Sequence, residues 1–184
     1  MSYTKVQIVS LAIERLGQAA ISSIDNKLSE TAERFYDLLL ETDISVGIPS
    51  FATKWAELTL NVGTPITPYY QFIFELPGDY IRITDTYPRV DYDILEDRQL
   101  YSNVNVMKIK YVYLPQPTQL PAYYVNYIAW RIAEEIAMSV LQNSALAESL
   151  RLKAVLAKNQ AASLNSQDKP NPFAKTRRYL DARY

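Results

Sequence analysis

The sequence predicts an α+β fold, mainly helical: a four-helix bundle with an antiparallel β-sheet insertion between helices 2 and 3, followed by an extended C-terminal tail. Three observations predict it. Apolar residues recur at spacings of three and four toward both ends of the chain. The middle is cut into short runs rich in Tyr, Ile, Val and Thr, separated by Pro, Gly, Asp and Asn. Residues 166–184 follow neither pattern, and Pro170 and Pro172 stand near their start.

The first helix is expected over about 3–16. Val6, Val9, Ile13 and Leu16 line one stripe with Ala12, and Gly17 supplies a left-handed stop. Ile21 and Ile24 are expected to turn inward from the loop that follows. Ser29 is the expected N-cap of a second helix over 29–46, with Glu30 and Glu33 where the helix dipole favours anions. Its apolar face carries Ala32, Phe35, Tyr36, Leu39 and Leu40, and Gly47-Ile48-Pro49 ends it.

Within the insertion, about 51–113, strands are predicted at 51–60, 69–76, 80–86, 92–96 and 104–113. Pro77-Gly78-Asp79 is a turn signal, and 97–103 is expected at the tip of a hairpin. Strand-rich sequence between helical stretches points to antiparallel pairing, not to βαβ units. Pro121 suits the first turn of a third helix over 121–142, with Val125, Ile128, Ile132, Ile136 and Val140 in its stripe. Ser144 is the expected cap of a fourth helix over 144–164, whose Ala147, Ala154, Ala157 and Ala161 suit close helix approach. Residues 1–165 are thus expected to form one domain, and 166–184 a tail.

Composition excludes several functions. The chain has 184 residues, 48% hydrophobic and 21% charged, close to the globular average. It has no Cys and no His. Disulfides, thiolate or imidazole metal sites, cysteine nucleophiles and Ser-His-Asp triads are therefore ruled out. No apolar run approaches the ~20 residues of a membrane span, and the first residues lack the apolar core of a signal peptide. A soluble, non-exported protein is expected.

The net charge of −1 argues against a dedicated nucleic-acid binder, but the charge is unevenly spread. Residues 166–184 carry five basic and two acidic side chains, a balance of +3. The rest carries 14 basic and 18 acidic, a balance of −4. A basic tail on an acidic body is drawn to acidic surfaces, other copies of itself included.

Candidate chemistry is sparse. Asp91 and Asp93 alternate along a predicted strand, with Glu96 and Asp97 after them, and could face a hard cation from one side. No calcium-loop pattern accompanies them, and a solvated surface is the plainer reading. Glu134 and Glu135 lie about 100° apart on a helix and do not converge as an acid–base pair. The glycines at 17, 47, 63 and 78 stand singly, so no phosphate-binding loop can be assembled. No catalytic, cofactor or metal site is expected.

Of fifteen tyrosines, Tyr69, Tyr70, Tyr111, Tyr113, Tyr123, Tyr124 and Tyr127 cluster around the sheet and the third helix. Packing accounts for most of them, and protein–protein contact for others. The tail has three readings. It is a frayed terminus, or a nucleic-acid arm with Arg177, Arg178 and Arg183 on phosphates and Tyr179 stacked on bases. Alternatively it is a docking arm, with Phe173, Tyr179 and Leu180 as anchors and the arginines pairing carboxylates.

The order of motifs resembles a known family. "AIERLGQAAISSIDNKLSETAERFYDLLLETDIS" is similar to the N-terminal helical hairpin of phage head-to-tail adaptors, the tail tubular protein A-like family of short-tailed phages. "PSFATKWAEL" resembles that family's lead into its sheet, and "FELPGDYIRI" its Leu-Pro-x-Asp strand turn. The stretch beginning "YIAWRIAEEIAMSVL" resembles its paired C-terminal helices, and "RRYLDARY" its ending. Two departures stand out: Ser50 and Phe51 follow Pro49 where Trp is expected, and Tyr179 stands where Trp is common.

The resemblance implies a structural virion protein, not an enzyme: a homo-oligomeric ring, usually twelve-fold, at the head–tail junction. Such a ring joins the portal protein to the tail nozzle, with tail fibres as a further partner, and lets genomic DNA pass without sequence-specific binding. Assembly would take place in the host cytoplasm, with no cofactor and no membrane. The resemblance favours docking for the tail, so Phe173, Arg177, Arg178, Tyr179, Leu180 and Arg183 become the expected contacts to portal or a neighbouring subunit. The alternative is a nucleic-acid-binding module that uses the basic tail.

Overall fold

A computed structural model describes residues 2–47, 49–96 and 98–167. The protein is mixed α+β, with four α-helices and two antiparallel sheets among the described residues. It divides into two compact units, Met1–Leu40 with Gln116–Tyr184, and Glu41–Pro115.

In the helical unit, α1 spans Lys5–Glu14. Thr4 and Gln7 form a capping box: the Thr4 hydroxyl accepts from the Gln7 N–H at 3.3 Å, and the Gln7 side chain accepts from the Thr4 N–H at 2.8 Å. Ile8, Val9, Ala12 and Ile13 are buried, and Gly17 takes φ +79° just beyond the helix, the left-handed stop its position predicts.

Helix α2 spans Lys27–Gly47, starting two residues earlier than expected, and from Glu41 onward it belongs to the second unit. Asn26, not Ser29, caps it: the Asn26 Oδ1 accepts from the Ser29 N–H at 2.9 Å, and the Ser29 hydroxyl donates back to the Asn26 carbonyl. Ser29 therefore occupies the third helical position, where it completes the cap and is buried. Lys5 of α1 joins α2 through Glu33 and Asp37, each at 2.9 Å.

Helix α3 spans Ala122–Ser139, with Pro121 at its N-cap. It buries Val125, Ile128, Ala129, Ile132, Ala133, Ile136 and Ala137. Each full burial of a large aliphatic chain removes it from water at a gain of ~1.5–3 kcal/mol. The helix stops three residues before the expected end because Gln142 adopts φ +49° and the Asn143 N–H returns to the Ala137 carbonyl at 3.0 Å. Val140, expected in the stripe, is consequently exposed.

Helix α4 spans Ser144–Gln167, and both α4 and α1 pack on α3. Asn143 caps α4 in place of Ser144, its Oδ1 accepting from the Leu146 N–H at 3.0 Å. The seam holds Ala133 and Ala137 against Ala147 and Leu150, small side chains that let two helix backbones approach closely.

The second unit carries β1 (Thr53–Glu57), β2 (Thr59–Asn61), β3 (Phe72–Glu75), β4 (Tyr80–Tyr87), β5 (Tyr92–Leu95), β6 (Gln99–Ser102) and β7 (Lys108–Tyr113). Where one sheet is expected there are two, ordered β1-β7-β4 and β2-β3-β6-β5. The predicted first strand is split at Leu58, which is buried and donates its N–H to the Met107 carbonyl at 2.9 Å. The chain thus leaves one sheet and enters the other around a single anchored side chain. Residues 97–103, expected as a hairpin tip, supply β6, whose Leu100, Tyr101 and Ser102 are buried. Leu58, Phe74, Leu76, Leu100, Met107, Ile109 and Tyr111 form the core of this unit, drawn from both sheets.

The cap assignments have a direct test. Asn143→Ala is expected to cost about 1 kcal/mol, the usual loss of an N-cap, whereas Ser144→Ala stays within about 0.5 kcal/mol of wild type. Urea denaturation of both variants distinguishes the two positions.

Candidate interaction surfaces

The expected tail contacts, Phe173, Arg177, Arg178, Tyr179, Leu180 and Arg183, lie outside the described residues. Within them, the acidic residues singled out from sequence do not converge. Asp91 precedes β5 instead of sharing a strand face with Asp93, and the Asp93 carboxylate accepts from the Tyr70 hydroxyl at 2.9 Å. No group of three potential metal ligands is present among the described residues. Glu134 and Glu135 both turn to Arg131, at 2.8 and 3.6 Å, so this adjacent pair is joined through a shared cation. No helix among the described residues is long and apolar enough to cross a membrane.

The clustered tyrosines divide by role. Tyr124 and Tyr127 are buried on α3, their rings edge-to-face at 5.7 Å. Tyr113 donates to the Phe51 carbonyl at 3.2 Å. Tyr111 is buried, and its hydroxyl donates to Asp79 at 3.0 Å. Lys54 reaches the other Asp79 oxygen at 2.6 Å and lies over the Tyr113 ring at 4.5 Å. Sequence alone could not pair Lys54 with Asp79, since the antiparallel partners of β7 bring them together.

This cluster has an electrostatic signature. The hydrogen bond to Asp79 raises Lys54 above its ordinary 10.5. For Asp79, burial works against the charge, but hydrogen bonds from Lys54 and Tyr111 outweigh it and hold the carboxyl below its ordinary 3.8.

A second cluster joins three helices. Arg15, at the end of α1, stacks over the Trp130 ring of α3 at 3.8 Å and donates to the Asn126 carbonyl and side chain at 2.9 and 2.7 Å. Lys153 of α4 also lies over Trp130, at 5.0 Å. Burial pulls the Arg15 guanidinium down to about 10, so it stays charged at neutral pH and the cation–π contact persists.

One concavity follows from the register of the three-stranded sheet. Trp55 opposes Lys110, which opposes Asp85 on the far side, and Tyr87 opposes Lys108. Side chains at paired positions share a face. The face turned away from Ile109 and Tyr111 therefore carries Trp55, Asp85, Tyr87 and Lys108. With Pro88, Arg89 and Val106 at the sheet end, they enclose an open groove of about 760 Å³. Trp55, Tyr87 and Val106 are 52%, 68% and 54% exposed. The charges at its rim are paired, Asp85 with Arg89 at 3.4 Å and Lys108 with Glu57 at 3.1 Å.

No protein-family model matches the chain, and no curated protein is significantly similar to it in sequence.

Because the Asp79 carboxyl is held below its ordinary value, its contribution is fully present above about pH 3.8 and is lost as pH falls through the lower folded value. The Lys54 contribution is fully present below 10.5 and is lost as pH rises through its higher folded value. Both side chains are over two-fifths exposed, so screening holds the pair to about 0.2–1 kcal/mol. Asp79→Asn is expected to lower stability by that amount at pH 7, with the gap to wild type narrowing at pH 3 in denaturant titrations.

Proposed function

We propose that this chain is a structural adaptor of a tailed-phage virion, forming a ring that joins the portal to the tail nozzle and encloses the DNA channel. The observation that carries this reading is the run of adaptor-like sequence segments in the family's order along nearly the whole chain. The order of elements supports it: two helices, a strand-rich unit and two further helices. On this reading the four helices form one bundle, and residues about 51–113 are an insertion between its second and third members.

The ring would assemble in the host cytoplasm and act at the head–tail junction, working by protein–protein contact and not by catalysis. An acidic body offers few phosphate contacts, so DNA slides past without being gripped. The tail, with Phe173, Tyr179 and Leu180 as apolar anchors and Arg177, Arg178 and Arg183 as carboxylate partners, would be the arm that engages portal or the adjacent subunit. A twelve-fold ring, the nozzle and tail fibres follow from the same resemblance.

Mass photometry with and without purified portal tests this. The chain is expected to join a ring on portal, and a monomer that stays apart when portal is added overturns the reading. Deleting 170–184 is expected to leave the melting temperature unchanged and to abolish attachment to capsids. Tight DNA binding at physiological salt, lost with the same deletion, would instead identify a nucleic-acid-binding module.

A further inference from the structure

Helix α4 carries two rows of apolar and small residues. The inner one, Ala147, Leu150, Ala154, Ala157 and Ala161, is buried. The outer one runs Ala145, Ser149, Leu152, Leu156, Asn159 and Ser163, and every member is exposed. At about 100° per residue, Leu152 and Ala154 point about 200° apart, so the two rows occupy opposite sides of the helix. Leu152 and Leu156 are 58% and 63% exposed, with Val155 beside them at 50%. A helix that is apolar on both sides is one built to sit between two neighbours.

The outer row has the spacing of a helix–helix seam, with steps of four, three, four, three and four residues. It also reads alike from either end. About the level of Ala154, Leu152 mirrors Leu156, Ser149 mirrors Asn159 and Ala145 mirrors Ser163. We infer that this row pairs with the same row of a second copy of the chain, α4 antiparallel to α4 about a two-fold axis.

The layers of such a pair match in size and chemistry. Leu152 meets Leu156 of the second copy, and the two leucine layers flank the axis. The Ser149 hydroxyl donates to the Leu146 carbonyl at 2.8 Å, so its lone pairs are left to accept from the Asn159 amide of the second copy. A polar layer of this kind fixes register. A shift of one heptad would set Leu152 against Ser149 and Leu156 against Ala145, and both leucine layers would be lost. Parallel pairing would stack Ser149 on Ser149 and Ala145 on Ala145, leaving one end of the seam underfilled.

Charge permits the pairing. No member of the row is charged, and the flanking charges are engaged within their own chain. Glu148 accepts twice from Arg151 at 3.0 Å, and Lys153 lies over Trp130 at 5.0 Å. Other exposed apolar surfaces do not match this row. The outer face of α2 sets Arg34, Asp37 and Glu41 around Leu38. Met138, Val140 and Leu141 cover a single turn at the end of α3, and the β2–β3 loop is not helical.

A helix pair of this length buries on the order of 500 Å² per copy, short of the ~800 Å² per partner in a stable complex. The dimer is therefore weak and depends on concentration. The contact is isologous and closes at two copies, so it does not itself build a ring. Such a dimer is a property of the free protein, whether or not the chain joins portal.

Sedimentation velocity of the full-length chain is expected to show a coefficient that rises with concentration to that of a dimer and no further. Leu152→Glu is expected to hold it at the monomer value, with an unchanged circular-dichroism melt. The chain has no Cys, so introduced thiols report the orientation. Ser149→Cys and Asn159→Cys variants, oxidised with copper phenanthroline, are expected to give a disulfide-linked dimer when mixed and little when either is alone.

A monomer at every concentration, or a dimer indifferent to Leu152→Glu, overturns the inference. So does linkage of either single variant as efficient as that of the mixture, the mark of parallel pairing or chance collision. A dimer that appears only when residues 168–184 are deleted makes the tail the occupant and likewise overturns it. Attachment to portal is read separately. A chain that dimerises as expected but never joins portal upholds the inference and removes the adaptor reading.

Discussion

The alternation of side chains along β7 is the constraint from which the strand-rich unit follows. Ile109 and Tyr111 turn toward the core shared with the second sheet, so Lys108 and Lys110 must turn away. Pairing on both sides extends that division to β1 and β4. It brings Trp55, Asp85 and Tyr87 to the face that bears the groove, and Lys54 to Asp79 and Tyr111. A slip of one residue would put Lys110 in the core and Tyr111 in water, a penalty large enough to exclude the alternative register.

The helical unit depends on α3 in a similar way. One stripe of α3 is buried along its length, and its alanines permit α4 to approach closely. Because α4 turns Ala147, Leu150, Ala154, Ala157 and Ala161 inward, its outer residues Leu152, Val155 and Leu156 remain exposed. Trp130 is held between a cation from α1 and another from α4, so three helices meet at one ring. Alanine seams contribute little area per residue, and such a stack adds orientation that apolar contact alone leaves loose.

Among the groups with displaced pKa values, Lys54 and Asp79 are paired with each other and Arg15 is buried over the Trp130 ring. Exposed apolar side chains lie on the β2–β3 loop and around the groove, and also at the end of α3 (Met138, Val140, Leu141) and along α4 (Leu152, Val155, Leu156). On the adaptor reading these are the parts through which subunits and partners meet, and affinity comes from the number of weak contacts closed together.

The sequence by itself determined the α+β class, the count and order of the helices, the antiparallel pairing and the stop at Gly17. Each rests on periodicity or on one residue's backbone preference, and both act locally. It was less informative where two polar residues compete for one role. Asn26 and Asn143 cap helices that Ser29 and Ser144 were expected to cap, and the winner depends on which oxygen reaches a free N–H. Only the tertiary structure decided the rest. Strand β6 hides among polar neighbours, and Leu58 divides one apparent strand between two sheets. The groove joins Trp55, Tyr87 and Val106, which are far apart in the chain and adjacent only because β7 lies between β1 and β4. Long-range pairing of that kind leaves no periodic trace, because each strand's pattern records which face is buried and not which neighbour it meets.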